Sequence, residues 1–367
     1  MLYNSVSTVG MSRRLMTSLG EMQLEQLRTN DEIASGKHYD MAQALGARTG
    51  YAIGLRNLYD EADQFVKGGS LLKGRMDTMD SALNNILDAG KDVLAAASTG
   101  LGQPGPTGSS LQVRARGVLE QIVGLLNAST GNGYLFGGVE VKSPPMRAVQ
   151  GDGSGLPSPL KIVADAITAA TGGSSVPTTA AQTAAVVSTL NDLFDVRDPA
   201  LPAPAPLTQT YEGGFYLGAT AKQPGGADTP RVTGRPADAV ELPYGIQAND
   251  KPFRDLMQGL YMLATVDTSK MELDAYKPYI ETAVSKMSGG LDNIRNVTSQ
   301  LGIYRHQLDE SIESHKTRQK VLSEQINSLE EVPPEEASVR LNQLEVQIEA
   351  ASSATARIAK MRLSNYL

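Results

Sequence analysis

Apolar residues recur at helical spacing toward both ends of the chain and lose that order in the middle. Leu72, Met76, Met79, Leu83, Ile86, Gly90, Val93 and Ala97 advance by alternating fours and threes. Leu301, Tyr304, Leu308, Ile312, His315, Gln319, Leu322, Ile326 and Leu329 repeat the pattern, with one stutter after Leu308. A stripe of this period covers one side of a helix and calls for a partner helix along its length, as in a coiled coil. The spacing predicts long helices over 51–98 and 275–331. At about 1.5 Å per residue the second would run roughly 80 Å, longer than most compact domains and suited to a rod.

Shorter patterns complete the helical plan. A first helix is expected over 5–34, with Leu15, Leu19, Met22 and Leu27 on its apolar side and Ser35-Gly36 as its stop. Residues 36–50 lack a period and read as a loop with short helical turns. After the break at Thr99–Ser109, Leu111, Ala115, Val118, Ile122 and Leu125 predict a helix over 110–129. Gly131-Asn132-Gly133 ends it, and Tyr134-Leu135-Phe136 reads as a short strand. Another helix begins at Phe253 and continues to Ala264. Pro333-Pro334 closes the long helix, and Glu335-Glu336 suits the positive start of a last one. That helix, 335–365, places Leu341, Leu344, Ile348, Ala351, Ala354, Ile358 and Met361 on one side.

Thirteen of the 19 prolines lie between Pro144 and Pro243, and residues 1–103 contain none. The first hundred residues are therefore free to be helical and the centre is not. Ala180–Leu193 can form a helix, Pro199–Pro206 favours extended spacer geometry, and Phe215-Tyr216-Leu217 and Arg231-Val232-Thr233 resemble short strands. The expected fold is mainly α: an elongated rod of antiparallel coiled-coil helices from both chain ends, with a central β-rich insertion domain. Its expected divisions are a terminal coiled coil (1–45 with 333–367), a helical rod (46–142 with 253–332) and an outward-facing insertion (143–252).

Charge and composition narrow the function. A formal net charge of −7 leaves no basic stripe to displace phosphate counterions, which argues against nucleic acid as partner. With no cysteine there can be no disulfide, thiol nucleophile or zinc–thiolate site. No run approaches the roughly 18 apolar residues that span a bilayer, so no membrane partner is expected. The start, Met1 to Gly10, has neither a basic region nor an apolar core, so a cleaved secretory signal is not expected.

Candidate chemistry is sparse. His306 and His315 stand nine residues apart, not the four that would share a metal between adjacent turns. Asp60-Glu61-Asp63 and Glu330-Glu331-Glu335-Glu336 read as solvated helix faces and caps. Gly100–Gly108 lacks the Gly-Lys-Ser/Thr ending of a phosphate loop. No Ser–His–Asp or paired-acid arrangement can be argued, so neither an enzyme nor a cofactor or metal site is expected.

Each terminal helix carries one apolar stripe and has no sequence neighbour to cover it. A lone amphipathic helix is marginal in water, while each fully buried Leu, Ile or Met contributes about 1.5–3 kcal/mol. Residues 1–34 and 335–367 should therefore cover each other, neighbouring copies, or both.

Several segments resemble the bacterial flagellin superfamily. Ile33-Ala34-Ser35-Gly36-Lys37 is similar to the signature that closes its first helix, and Gly131–Gly138 (GNGYLFGG) to the turn leading into its outer domain. Ser352 through Arg357-Ile358-Ala359-Lys360-Met361-Arg362-Leu363-Ser364-Asn365-Tyr366-Leu367 most resembles the hook-associated FlgL branch, with Asn365 where an Asp is usual. Tyr244-Gly245-Ile246 and Phe253-Arg254-Asp255-Leu256 resemble that branch's re-entry segment. The likeness covers 1–142 and 244–367. It implies an extracellular flagellar subunit, exported without a cleaved signal and forming a ring between the hook-associated protein FlgK and the flagellin filament. It also implies an export chaperone before assembly. The expected contact residues are Leu15, Leu19, Met22, Leu27, Leu341, Leu344, Ile348, Ile358, Met361 and Leu367. A filament flagellin is the alternative, and a secreted adhesin with a coiled-coil stalk is a more distant one.

Overall fold

The computed structural model describes residues 8–100, 104–105, 108–131, 133–151, 153, 155–196, 210–238 and 240–364. For residues 8, 9, 12 and 359–364 it describes the backbone only. The fold is mainly α, with long helices toward both chain ends and a few small strands between them. The helices are α1 (Thr8–Ser35), α2 (Met41–Leu45), α3 (Thr49–Thr99), α4 (Gly108–Leu126), α5 (Pro159–Thr171) and α6 (Ala180–Leu193). There follow a single irregular turn, α7 (Tyr211–Gly214), then α8 (Lys251–Thr265), α9 (Leu273–Glu330) and α10 (Pro334–Ser364). Two antiparallel pairs make up the strands: β1 (Ser129–Thr130) with β2 (Gly133–Tyr134), and β3 (Gly234–Ala237) with β4 (Val240–Leu242).

Contacts divide the chain into two units. One joins the described residues up to Gln64 with those from Ser314 onward, and the other comprises Phe65–Glu313. Helices α3 and α9 contribute residues to both.

In the Phe65–Glu313 unit, α3 and α9 run antiparallel. Lys73 faces Asp309, Arg305 reaches Asp77 and Asp80, and Gly90 lies against Leu291. The stripe seen in the sequence is the core: Met76, Met79, Leu83, Ile86 and Val93 are fully buried between these helices and their neighbours. A side chain at Gly90 would put its Cβ 2.6 Å from a Leu291 methyl, so glycine allows this approach without displacing that methyl. Helix α4 adds Ala115, Leu119, Ile122 and Leu126 and packs on α8. Its Gln112 and Arg116 donate to the Thr265 and Ala264 carbonyls at the α8 C-terminus. Such terminal carbonyls have no partner within their own helix. From Leu256 to Ala264, α8 is buried on every side, as a helix through the centre of a core must be.

The middle of the chain shares this core. Helix α5, which the sequence did not announce, starts with Ser158 as its N-cap and Pro159 in its first turn. It packs on α6 and α8 through Ile162, Val163 and Ile167. Helix α6 forms over the residues expected, and its Thr183 hydroxyl donates to the Ala275 carbonyl. Phe194, Tyr211, Phe215 and Tyr261 form a buried aromatic group with ring centroids 5.1–5.9 Å apart. Burial pushes the hydroxyls of Tyr211 and Tyr261 well above the ordinary tyrosine range.

The strands of the middle are small. Tyr216 makes isolated bridges to Met146 and Glu212, and the 231–233 stretch lies just ahead of β3. The β3–β4 hairpin packs Gly234 against Leu72 of α3. The expected Pro199–Pro206 spacer lies outside the described residues.

Candidate assembly surface

The second unit holds the terminal helices. Helix α1 stops where Gly36 turns left-handed at φ 70° and its N–H donates to the Glu32 carbonyl at 2.8 Å. The chain then runs against the segment between α9 and α10. His38 N–H donates to the Glu330 carbonyl and Val332 N–H to the Gly36 carbonyl, each at 3.0 Å. Pro333-Pro334 prevents α9 from continuing, and the Glu336 and Ala337 amides turn back on the Pro333 carbonyl to start α10.

Helices α1 and α10 pack on each other. Arg340 near the start of α10 bonds Glu32 near the end of α1, so the pair is antiparallel. The terminal stripes thus have a partner within the chain. Leu15, Leu19 and Met22 of α1 and Leu341, Leu344, Ile348 and Ile358 of α10 are each half-buried. Leu27 departs from the expected face. Five residues after Met22, it is turned about 140° around the helix, and it is 65% exposed. Met361 lies within α10 with its side chain outside the described part, and Leu367 lies outside the described residues.

The pair leaves a second apolar set in water. Met16 and Leu27 on α1, and Val339 and Val346 on α10, are 56–67% exposed. Each pair is spaced 11 or 7 residues apart, which returns to nearly the same side of a helix. A two-helix pair can cover only one side of each member, so these residues are available to a further helix.

Two buried carboxylates hold the joint at the base of the pair. Glu330 is 2% exposed. It accepts from Lys37 Nζ at 3.0 Å and Arg56 Nε at 2.9 Å, with a further bond from the same guanidinium. Burial opposes its ionisation, but the Lys37 and Arg56 bonds outweigh that, so the carboxyl titrates below the ordinary glutamate range. Glu32 is 8% exposed. It accepts from the Tyr39 amide at 3.0 Å and from Arg340 at 3.2 Å, and lies 3.7 Å from His38 Nδ1.

This corrects the sequence expectation that Glu330 belongs to a solvated face. Periodicity could not show it, because its partner Lys37 lies 293 residues away in the chain. Among the described residues there is no cluster of three or more metal-ligating side chains, and no helix is long and apolar enough to cross a membrane.

Residues 6–140 match the bacterial flagellin N-terminal helical region, and residues 284–367 match the bacterial flagellin C-terminal helical region. The chain belongs to the bacterial flagellin superfamily. The two matches together cover more than half of it and leave 141–283 outside. No curated protein matched the chain. As a flagellin-family protein it is a structural subunit of the bacterial flagellum, an extracellular assembly built by polymerisation. Helices α1 and α10 and the long α3 and α9 fall almost wholly inside the matched regions.

Proposed function

We propose that this flagellin-family subunit is of the FlgL type and joins the hook, through the hook-associated protein FlgK, to the filament. The observation that carries this reading is the terminal sequence from Ser352 to Leu367, which resembles that branch more than a filament flagellin. The re-entry segment Tyr244–Leu256 supports it. The half-buried α1–α10 pair supports the wider idea of a subunit whose terminal helices finish burying their apolar faces only among copies. Subunits would then join by head-to-tail contacts repeated around an axis.

In this reading residues 1–45 and 333–367 form the inner layer, 46–142 and 253–332 the rod, and 143–252 the outward part. The assembly contacts are Leu15, Leu19, Met22, Leu27, Leu341, Leu344, Ile348, Ile358, Met361 and Leu367. Cells lacking the protein should keep their hooks and lose their filaments under electron microscopy, with monomeric flagellin in the medium. Normal filaments on such cells would refute the junction role. Growth of purified subunits into long filaments without a partner would favour the alternative, a filament flagellin.

Before assembly an exposed apolar helix invites aggregation, so an export chaperone should hold the C-terminal region. Removing residues 335–367 should abolish co-purification with that chaperone. Undiminished recovery from the truncated chain would place the contact elsewhere.

A further inference from the structure

We propose that the joint between the segment after α1 and the segment before α10 is an acid-released latch, closed by the ionised carboxylate of Glu330. The inference holds for a junction subunit and a filament subunit alike.

The geometry makes Glu330 the point where three chain segments meet. Its two oxygens take Lys37 from the segment following α1 and Arg56 from α3, while its own carbonyl takes the His38 amide. Lys37 and Glu331 stand opposite each other as an antiparallel bridge, and Val332 N–H closes the ring by donating to Gly36. Among the described residues, the apolar side chains buried in this unit are Leu45, Ala52, Leu55, Ala62, Leu322, Val332 and Ala337. Val332 and Ala337 are the buried apolar residues on the α10 side, and α1 contributes the buried Thr29 and Glu32 instead of a large hydrophobe. The joint therefore combines charge-assisted bonds with a small set of buried apolar side chains.

Other charged groups face the same region. Glu32 of α1 is held by Arg340 of α10, with His38 at 3.7 Å, and the cavity beside it is lined by Glu25, Arg28 and Asp40. Glu330 receives the permanent cations Lys37 and Arg56 from two different segments while being almost wholly buried.

Protonating Glu330 removes the charge that Lys37 and Arg56 share and leaves both cations beside a neutral carboxyl. Because its pKa is lowered in the folded chain, its contribution is fully present above the ordinary glutamate value. That contribution is lost as pH falls through the lower folded value. Release of the joint frees the α1–α10 pair from the ends of α3 and α9 without touching the core of the other unit.

Hydrogen exchange of the full chain across pH tests this, with rates corrected to protection factors. The amides of His38 and Val332 should lose protection by about tenfold or more on acidification, the scale of losing one hydrogen bond to a charged group. Amides of Ile86 and Leu291 should stay protected over the same range. Glu330→Gln should show the loss already at neutral pH with no further acid step, and Arg56→Gln should move the step to higher pH. Circular dichroism of both variants checks that the helices remain. Protection at His38 and Val332 that persists until the whole chain unfolds, a wild-type acid step in Glu330→Gln, or an unmoved step in Arg56→Gln would each overturn the latch.

Discussion

Changing Ile348 and Ile358 together to Asp should abolish incorporation of the subunit into flagella while leaving most of its helix content intact. Both side chains lie half-buried on the α10 face that meets α1. Each substitution forfeits roughly half of the ~1.5–3 kcal/mol that full burial of an isoleucine contributes. It also brings an unpaired carboxylate to the seam, at a further cost of several kcal/mol if the charge is desolvated. Helices this long and this thinly covered have little reserve. The core of the Phe65–Glu313 unit contains neither residue, so circular dichroism should change only by the loss of terminal helix. Electron microscopy and swimming assays of cells expressing the variant read the outcome. Filaments of normal number containing the double variant would show that this face is not needed for assembly.

The largest expected effect on stability is at Phe215. Its ring is fully buried, stacked on Tyr211 at 5.6 Å with an interplanar angle of 10°, and edge-on to Tyr261 at 5.2 Å. Phe194 closes the group at 5.1 Å. Phe215→Ala should cost about 3–5 kcal/mol, the range for removing a buried aromatic ring whose neighbours cannot collapse into the space. Because the chain has no tryptophan, its near-ultraviolet dichroism comes chiefly from tyrosines, and the change between parent and Phe215→Ala reads the part carried by Tyr211 and Tyr261. Urea unfolding followed by that signal should show an earlier midpoint for the Phe65–Glu313 unit. A midpoint unchanged from the parent chain would mean that the aromatic group does not hold the middle segment to α8.

The two sites differ in how much of them the sequence revealed. Helices α3, α9 and α10 were legible because each repeats an apolar position many times, and a repeated signal survives local exceptions such as Gln319 within the stripe. Helix α6 was legible as an alanine-rich stretch without breakers. Helix α5 is hidden in the sequence because it is short and its first turn holds the proline that elsewhere marks a break. The proline was in fact a start signal, read together with Ser158. Phe215-Tyr216-Leu217 fits a strand by residue type, since three aromatic and aliphatic side chains stand in a row. Its order comes instead from rings that meet only after the chain has folded. The joint was illegible for a related reason. Lys37, Arg56 and Glu330 are unremarkable surface residues until the antiparallel pairing of the chain ends brings them together.

Gly69 and Gly90 give the α3–α9 pairing in the Phe65–Glu313 unit a fixed axial index. Each sits opposite a bulky residue of α9, Ile312 for Gly69 and Leu291 for Gly90, at distances that leave no room for a Cβ. The two glycines act as keyways 21 positions apart, and the two side chains as keys with the same spacing. Sliding α9 by one turn, about 5.4 Å, would withdraw both keys and press them on residues that carry side chains. Each such collision costs roughly 1–3 kcal/mol, and both occur together. Lengthwise adjustment of this helix pair is therefore blocked, so any strain applied along it is passed on instead of being taken up by slippage.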